Sequence, residues 1–319
     1  MKLVVLVPAF NEEQNIEKTI RSIPKNIIGI DEVKVLVVDD GSTDKTMDKA
    51  MNGGAYRVVS HSTNTGVGAA FMTGIRNAIS MNADILVAVD ADSQFDSNQI
   101  PELISPILNN QADVVIGSRF KEGRPKKIPG IKYLGNKIFT RIVSSLVQQK
   151  FTDTQTGFRA YSKRALLNIS VVNDFTYTQE VLIDLKFKGL QITEVPISVT
   201  YDDKRKSRVV KNIFSYSSKV LAIITRTLVF HRPMFSFTLL AGIFCGGGIL
   251  AKLLTISGTL VVNQSLSTGI IILGGVSFMM GVFATVVFRR QAFAEKDLRH
   301  YLENADSLNL AAMRKANVN

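Results

Sequence analysis

Short apolar runs alternate with helical periodicity from the start of the chain to about residue 199. Residues 2–7, 33–38, 56–60, 85–89, 114–116 and 191–199 read as strands. Runs without alternation, such as Ile85-Leu86-Val87-Ala88-Val89, have the pattern of strands buried on both faces of a parallel sheet. Between them, residues 12–23 put Ile16, Ile20 and Ile23 on one helical face. Further helices are predicted from about residue 44, from the Asn64–Gly68 stretch to about residue 81, and near 98–109, 134–147 and 175–188. Strands alternating with helices at this spacing predict an α/β domain built on a doubly wound, mostly parallel sheet.

The pattern changes after residue 210. Residues 212–230 interleave Ile213, Phe214, Val220, Leu221, Ile224 and Leu228 with Lys219 and Arg226. This predicts an amphipathic helix, suited to an anionic bilayer or to the preceding domain. Residues 235–256 and 266–288 are each long and apolar enough to span a bilayer, with Lys252 able to snorkel to an end. Gly246-Gly247-Gly248 and Gly274-Gly275 would allow the two to pack closely. The linker 257–265 is uncharged, whereas Arg226, Arg232, Arg289 and Arg290 flank the pair. The positive-inside rule then predicts a multi-pass protein of the cell membrane with its catalytic domain in the cytoplasm. The expected division is 1–210 catalytic, 211–232 juxtamembrane, 233–290 two spans, and 291–319 a charged tail able to support homo-oligomer contacts.

Composition sharpens this picture. The mean hydropathy of +0.16 is high for a chain that is 20% charged, because the apolar residues concentrate after Arg232. A formal charge of +11 calls for an anionic partner: membrane, phosphorylated substrate or nucleic acid. One cysteine, Cys245, excludes an internal disulfide and a Cys-rich zinc site. His61, His231 and His300 are too scattered to form a metal cluster. The apolar stretch 3–7 is too short for a signal peptide.

The chemistry gathers at predicted strand ends. Asp90, Asp92 and Gln94 follow the strand 85–89, at the edge where open α/β sheets bind ligands. They are hard oxygen ligands for Mg²⁺ or Mn²⁺, with a diphosphate able to complete the set; a polar turn is the plainer use. Gly66 and Gly68 form G-x-G without a third glycine and after the third strand, which argues against a nicotinamide site. Tight helix–sheet packing or close approach to a nucleotide fits better. Residues 121–132, KEGRPKKIPGIK, form a basic loop, either solvated or gathering phosphates. Arg119 stands at its root, and a guanidinium binds phosphate bidentately.

Pro8-Ala9-Phe10-Asn11-Glu12-Glu13, Val37–Asp44 (VVDDGSTD), Asp90-Ala91-Asp92-Ser93-Gln94, Gly117-Ser118-Arg119 and Asp153–Arg159 (DTQTGFR) occur in that order. As a set they resemble the GT-A glycosyltransferases of inverting family 2, and within it the polyprenyl-phosphate (dolichol-phosphate mannose synthase-like) subgroup. The resemblance covers about residues 1–210. It implies a GT-A nucleotide-sugar-binding fold, followed here by an amphipathic interface helix and a two-helix transmembrane hairpin. Pro8, Phe10, Glu12, Asp40, Asp90 and Ala91 would bind the nucleotide, with Phe10 where the family usually has Tyr. Asp90, Asp92 and Gln94 would hold Mg²⁺ or Mn²⁺. Asp92, Arg119 and Glu180 would be catalytic, Glu180 either orienting a group or acting as a base. Arg119, Lys132, Arg205 and Ser207 would bind the acceptor phosphate, although the glycine usual near Arg205 is absent. Asp39-Asp40 could also be a helix-capping turn, and Arg159 could pair with Asp153 or serve catalysis.

The implied reaction moves a hexose from a UDP- or GDP-sugar to a polyprenyl or dolichyl monophosphate at the bilayer, with no nucleic-acid partner. A processive polysaccharide synthase would carry Q-x-x-R-W and more spans, and this chain has no tryptophan. Against a non-catalytic nucleotide-sugar sensor stand the intact Asp90, Asp92, Gln94 and Arg119.

Overall fold

The structure is a computed structural model and describes residues 1–125, 128–170, 177–200, 221–222, 224–230, 232–257, 263–288 and 290. It divides into two compact units, Met1–Ile224 and Thr225–Asn319.

In the first unit the elements are β1 (Lys2–Ala9), α1 (Ile16–Ser22), β2 (Glu32–Asp39), α2 (Thr46–Asn52), β3 (Arg57–Ser60), α3 (Val67–Ser80), β4 (Ile85–Ala88), α4 (Ile100–Leu108), β5 (Val114–Ser118), α5 (Gly130–Val147), β6 (Arg159–Ser162), α6 (Lys163–Asn168), α7 (Thr178–Phe187) and β7 (Ile192–Pro196). They build a seven-stranded sheet in the order β3-β2-β1-β4-β6-β5-β7. All neighbours are parallel except around β6, which runs against both β4 and β5. The expected sheet is present, and β6 and α6 are additions to it. Arg-Ala-Tyr-Ser has no continuous apolar run, and its pairing with Ile85–Ala88 is a contact between residues far apart in the chain.

The centre of β1 shows why its pattern is uninterrupted: Leu3 to Val7 are fully buried. Val4 and Leu6 face one core with Phe71, Ile75 and Val143, while Leu3, Val5 and Val7 face the other with Ile16, Ile20 and Leu103. Successive side chains on a strand point to opposite faces, so a strand covered on both sides is apolar throughout. A tight helix–sheet contact that no motif announces lies at Gly74, where a Cβ would overlap Leu6, and Gly68 is buried on the same helix. Phe71 stacks on Tyr177, just before α7, with ring centroids 3.8 Å apart.

The second unit contains two apolar helices, Pro233–Ile256 and Gln264–Phe288, each long and apolar enough to cross a membrane. Only 11% and 17% of their most apolar windows are buried, so they present apolar surface outward, unlike a core helix of a soluble protein. Their contact runs through Gly248 against Ile271, Gly274 against Cys245, and Gly281 against Phe237, which makes the pair antiparallel. A Cβ on Gly248 would lie 2.6 Å from Ile271 and 2.8 Å from the Ser267 carbonyl. Gly246, Gly247 and Gly275 face open space. The tail after residue 290, the interhelical residues 258–262 and the first half of the expected amphipathic helix lie outside the described residues, whereas residues 224–230 are helical.

Candidate active site

β1 lies between β2 and β4, so the turns that leave these strands stand side by side at one edge of the sheet. The Leu6 carbonyl accepts from Val89 N–H toward β4, and the Ala9 carbonyl accepts from Asp40 N–H toward β2. By the alternation of a parallel strand, Pro8 faces the β4 side, where the β1–β4 ladder has already ended at Ala88. Its missing N–H therefore costs no ladder bond.

The turn after β1 is held by short side chains of the turn after β2. Asn11 takes a left-handed conformation, φ 55°. Its N–H donates to Ser42 Oγ at 2.8 Å, and its Oδ1 accepts from Thr43 N–H at 2.8 Å. Glu12 N–H donates to Thr46 Oγ1 at 2.7 Å. Glu12 is buried and its carboxylate accepts from Asn15 Nδ2 at 3.1 Å, while Phe10 is half-buried. These bonds fix the position of Pro8, Phe10 and Glu12 relative to Asp40.

Asp40 is the anchor of the loop that opens α3. Its Oδ1 accepts from Thr65 N–H, Thr65 Oγ1 and His61 Nδ1 at 2.7–3.0 Å, and its Oδ2 accepts from Gly66 N–H at 2.7 Å. Gly66 has φ 101°, a conformation that only glycine adopts readily, and this aims its N–H at the carboxylate. Burial pushes the Asp40 carboxyl up, but the bonds from Thr65, His61 and Gly66 outweigh it and leave it below the ordinary value. His61 Nε2 lies 3.0 Å from Thr73 Oγ1 on α3, which orients the ring. Neither carboxylate caps a helix, since α2 starts only at Thr46: Asp39 Oδ2 accepts from Ser60 Oγ at 2.9 Å and from Ser42 N–H at 3.4 Å, which ties the turn to β3.

The turn after β4 holds Asp90, Ala91, Asp92 and Gln94 together. Asp92 Oδ1 accepts from Gln94 N–H at 3.1 Å. Ser93 is left-handed at φ 57°, and its Oγ lies 2.7 Å from Thr19 Oγ1, which also donates to the Ala91 carbonyl at 3.1 Å. Helix α1 thus braces this turn from below, and Thr200 N–H donates to the Gln94 carbonyl at 2.9 Å from the other side. The Asp90 carboxylate fills the space in front of Gly157, where a Cβ would come within 2.8 Å of Oδ1. Among the described residues no three or more His, Cys, Asp or Glu side chains group as a metal cage. Asp90, Asp92 and Gln94 lie on this one turn and carry hard oxygens, the ligand chemistry of a cation that shares its coordination with a diphosphate.

Arg119, the residue after β5, is locked to Asp153. Nε donates to Oδ2 at 2.6 Å and Nη2 to Oδ1 at 3.0 Å, a bidentate pair. Asp153 is fully buried and also accepts from Asn136 Nδ2 on α5 at 3.0 Å and from Gln155 N–H at 3.1 Å. Burial pushes its carboxyl up, yet the Arg119 charge and these bonds bring it below the usual range. This corrects one expectation: Asp153 pairs with Arg119, not with Arg159. Arg159 is fully buried and donates to the Thr178 carbonyl at 2.6 Å and the Thr154 carbonyl at 2.8 Å, tying β6 to the start of α7. Glu194 of β7 accepts from the Thr152 and Asp153 N–H groups, and burial raises its carboxyl above the ordinary value.

Glu180 is buried in the first turn of α7, a helix buried on all sides from Thr178 to Leu185. Asp184, one turn on, is a tie to Lys188 Nζ at 2.7 Å and to Ser170 Oγ at 3.2 Å. Lys132 is exposed on the first turn of α5, which begins four residues earlier than the pattern predicts. Arg205 and Ser207 lie outside the described residues, as do Lys126 and Lys127. The sheet therefore brings Pro8, Phe10, Glu12, Asp40, Asp90, Ala91, Asp92 and Gln94 to adjoining turns. The strap 153–157 leads from Arg119's partner to Asp90's neighbour. The sequence pattern assigns no role to His61, Asn136 or Gly157, which the structure places against Asp40, Asp153 and Asp90. The D-x-x-x-G spacing of Asp153 and Gly157 is legible in the chain, and the partners to which they fold are not.

Comparison with known proteins agrees with this arrangement. Residues 4–170 match the model of the family described as glycosyl transferase family 2. A UDP-N-acetylglucosamine–dolichyl-phosphate N-acetylglucosaminyltransferase of Methanococcus voltae is 32% identical over 226 residues, covering 65% of this chain and 88% of that one. A dolichol-phosphate mannosyltransferase of Pyrococcus furiosus is 28% identical over 260 residues, covering 78% and 72%. Among solved structures, glucosyl-3-phosphoglycerate synthase of Mycobacterium tuberculosis, in complex with Mn²⁺, UDP and phosphoglyceric acid, superposes with a TM-score of 0.56 at 23% identity, covering 71% of this chain and 78% of that one. That likeness establishes the shared fold, a mixed seven-stranded sheet of the GT-A type. With the three turns at one sheet edge and the match across residues 4–170, the chain belongs to glycosyl transferase family 2.

Proposed function

We propose that the protein transfers a hexose from a UDP- or GDP-sugar to a polyprenyl or dolichyl monophosphate, with inversion, at the cytoplasmic face of the cell membrane. The observation that carries this reading is the strap 153–157. One end holds Arg119 through Asp153, and the other packs against Asp90. A donor diphosphate at Asp90–Gln94 and an acceptor phosphate near Arg119 would share one rigid support. Names of relatives that act on dolichyl phosphate support the same reaction class.

In this reading Pro8, Phe10 and Glu12 line the base and ribose, and Phe10 stacks without a phenol hydroxyl to donate. Asp40 holds the loop against which the base rests, and Asp90 and Ala91 adjoin the ribose and diphosphate. Asp92, Gln94 and Asp90 would hold Mg²⁺ or Mn²⁺, which when bound neutralises charge on the leaving diphosphate. Arg119, Lys132, Arg205 and Ser207 hold the acceptor phosphate. That phosphate is already anionic at neutral pH, so its oxygen attacks the anomeric carbon without a strong base, and the nucleoside diphosphate departs. Glu180, buried beside the Arg159-bound start of α7, orients rather than deprotonates. Residues 1–210 form the catalytic domain, 211–232 lie on the bilayer, 233–290 span it twice and 291–319 return to the cytoplasm, where homo-oligomer contacts could form.

The test is transfer of label from a panel of UDP- and GDP-sugars into organic-extractable lipid. It uses membranes containing the full chain, Mg²⁺ or Mn²⁺, and added polyprenyl monophosphate. Chelator-sensitive label from one donor is expected. No lipid label from any donor, with nucleotide binding intact, would overturn the reading.

A further inference from the structure

The fastenings of Arg119 lead back to one carboxylate on β7. The Arg119 guanidinium and backbone N–H both donate to Asp153, the N–H at 3.3 Å. The preceding residue, Ser118, is fixed by its hydroxyl, which lies 2.6 Å from Thr152 Oγ1 and accepts from Phe120 N–H at 3.2 Å. Thr152 and Asp153 are in turn gathered by Glu194. The Glu194 Oε1 accepts from Asp153 N–H at 3.0 Å, while Thr152 N–H and Thr152 Oγ1 donate to its Oε2 at 2.9 and 3.0 Å. Strand pairing puts Glu194 there. It stands opposite Ile116, two residues before Ser118, so Glu194 and Ser118 project from the same face of the sheet. All three groups that reach the Glu194 side chain are donors, and an ionised carboxylate only accepts. An amide of the same size would set its NH2 against one of them.

We infer that Glu194 is a positioning residue for Arg119: acting through Thr152 and Asp153, its carboxylate sets where the guanidinium meets an incoming phosphate. This rests on the reading of Arg119 as a ligand of the acceptor phosphate. A bidentate guanidinium is effective only in the right plane, and a small misplacement of the residue that aims it is costly. The charged groups around Glu194 are Asp153 and Arg119 of the buried pair, and Lys121, whose Nζ donates to the Glu194 carbonyl. Burial raises the Glu194 carboxyl above its ordinary value and the Asp153 charge adds to this, against the opposing bonds from Asp153 and Thr152. As pH falls through that raised value, a proton takes one of the accepting oxygens. The strap then loses an acceptor, and the hold of Arg119 on a phosphate loosens. The donor turns at Asp40 and Asp90 have their own braces and are untouched.

The experiment reads binding, so it needs no turnover. The full chain in detergent is titrated with a fluorescent short-chain polyprenyl monophosphate, and separately with UDP and GDP by calorimetry. Glu194→Gln should weaken polyprenyl monophosphate binding at least about tenfold and leave nucleoside diphosphate binding unchanged. Glu194→Asp, shorter but still a carboxylate, should bind the lipid phosphate better than Glu194→Gln, whereas a residue serving shape alone would favour Gln. A pH series uses a polyprenyl sulfate, whose charge stays constant. Wild-type binding should weaken as pH falls from about 7.5 to 5, and Glu194→Gln should be flat. Wild-type affinity for the lipid phosphate in Glu194→Gln, or equal loss of nucleotide and lipid phosphate, would overturn the inference. So would Gln outbinding Asp. If Glu194→Gln does not fold, the wild-type pH series decides, and no weakening toward low pH is the contrary result. Arg119→Lys separates the two readings. If it binds the lipid phosphate as the wild type does, the role given to Arg119 falls, and that of Glu194 with it. If it weakens binding and Glu194→Gln does not, only the role of Glu194 falls.

Discussion

The two halves of the catalytic sheet hold their sites by different means. On the β3-β2-β1-β4 side the turns are braced by short polar side chains reaching backbone groups: Ser42, Thr46, Asn11, Thr19 and Asp40. On the β6-β5-β7 side the support is a buried charged network, Arg119–Asp153 with Asn136, and Arg159 on two carbonyls. Hydroxyl-to-backbone bonds are individually modest and redundant. A buried ion pair contributes little while intact but is costly to break from one side. The β6-β5-β7 half should therefore fail by unfolding, and the β3-β2-β1-β4 half by losing chemistry.

The largest effect follows from Asp153→Ala, which leaves the Arg119 guanidinium without its buried partner. A loss of about 3–5 kcal/mol is expected, read as a fall in the unfolding midpoint of the detergent-solubilised chain. The pH dependence has a defined sign. The folded Asp153 carboxyl lies below its ordinary value, so it contributes stability above pH about 4, and that contribution disappears as pH falls through the folded value. The acid limb of the stability curve should be shallower in Asp153→Asn. An unchanged midpoint in Asp153→Ala would erase the contrast between the halves.

Asp92→Ala should do the opposite. Asp92 is half-buried on the edge of the site, so the fold should survive while transfer falls by at least about 10²–10³-fold. Full activity of this variant at raised metal concentration would remove Asp92 from the site. Gly157→Ala sharpens the comparison where the halves meet. Its Cβ would press on Asp90, and displacing that carboxylate by a fraction of an ångström should lower kcat up to about 10²-fold, with the unfolding midpoint nearly unchanged. A normal kcat would show that Asp90 tolerates the shift.

The same division explains what the sequence made legible. The parallel half is written locally: an apolar run, then Pro8–Glu12, Asp39–Asp44 or Asp90–Gln94 at its end, each motif lying on the element it serves. Its bracing partners are hydroxyls that no pattern singles out, since Thr19 is one of many threonines until α1 is placed under Ser93. The mixed half depends on contacts distant in sequence. Whether Asp153 pairs with Arg119 or Arg159 is decided by the insertion of β6 between β4 and β5, and a four-residue antiparallel strand without apolar periodicity gives no local sign of itself. Gly74 shows the same limit: its value lies in what Leu6 needs, not in a motif of its own.

The most direct measurement is release of nucleoside diphosphate by the full chain in membranes, with and without added polyprenyl monophosphate, alongside mass analysis of the lipid. Release is expected to depend on the acceptor, to match one added hexose per lipid phosphate, and to disappear in Asp92→Ala. Nucleotide binding without acceptor-dependent release, or release with no sugar gained by the lipid, would contradict the proposed reaction.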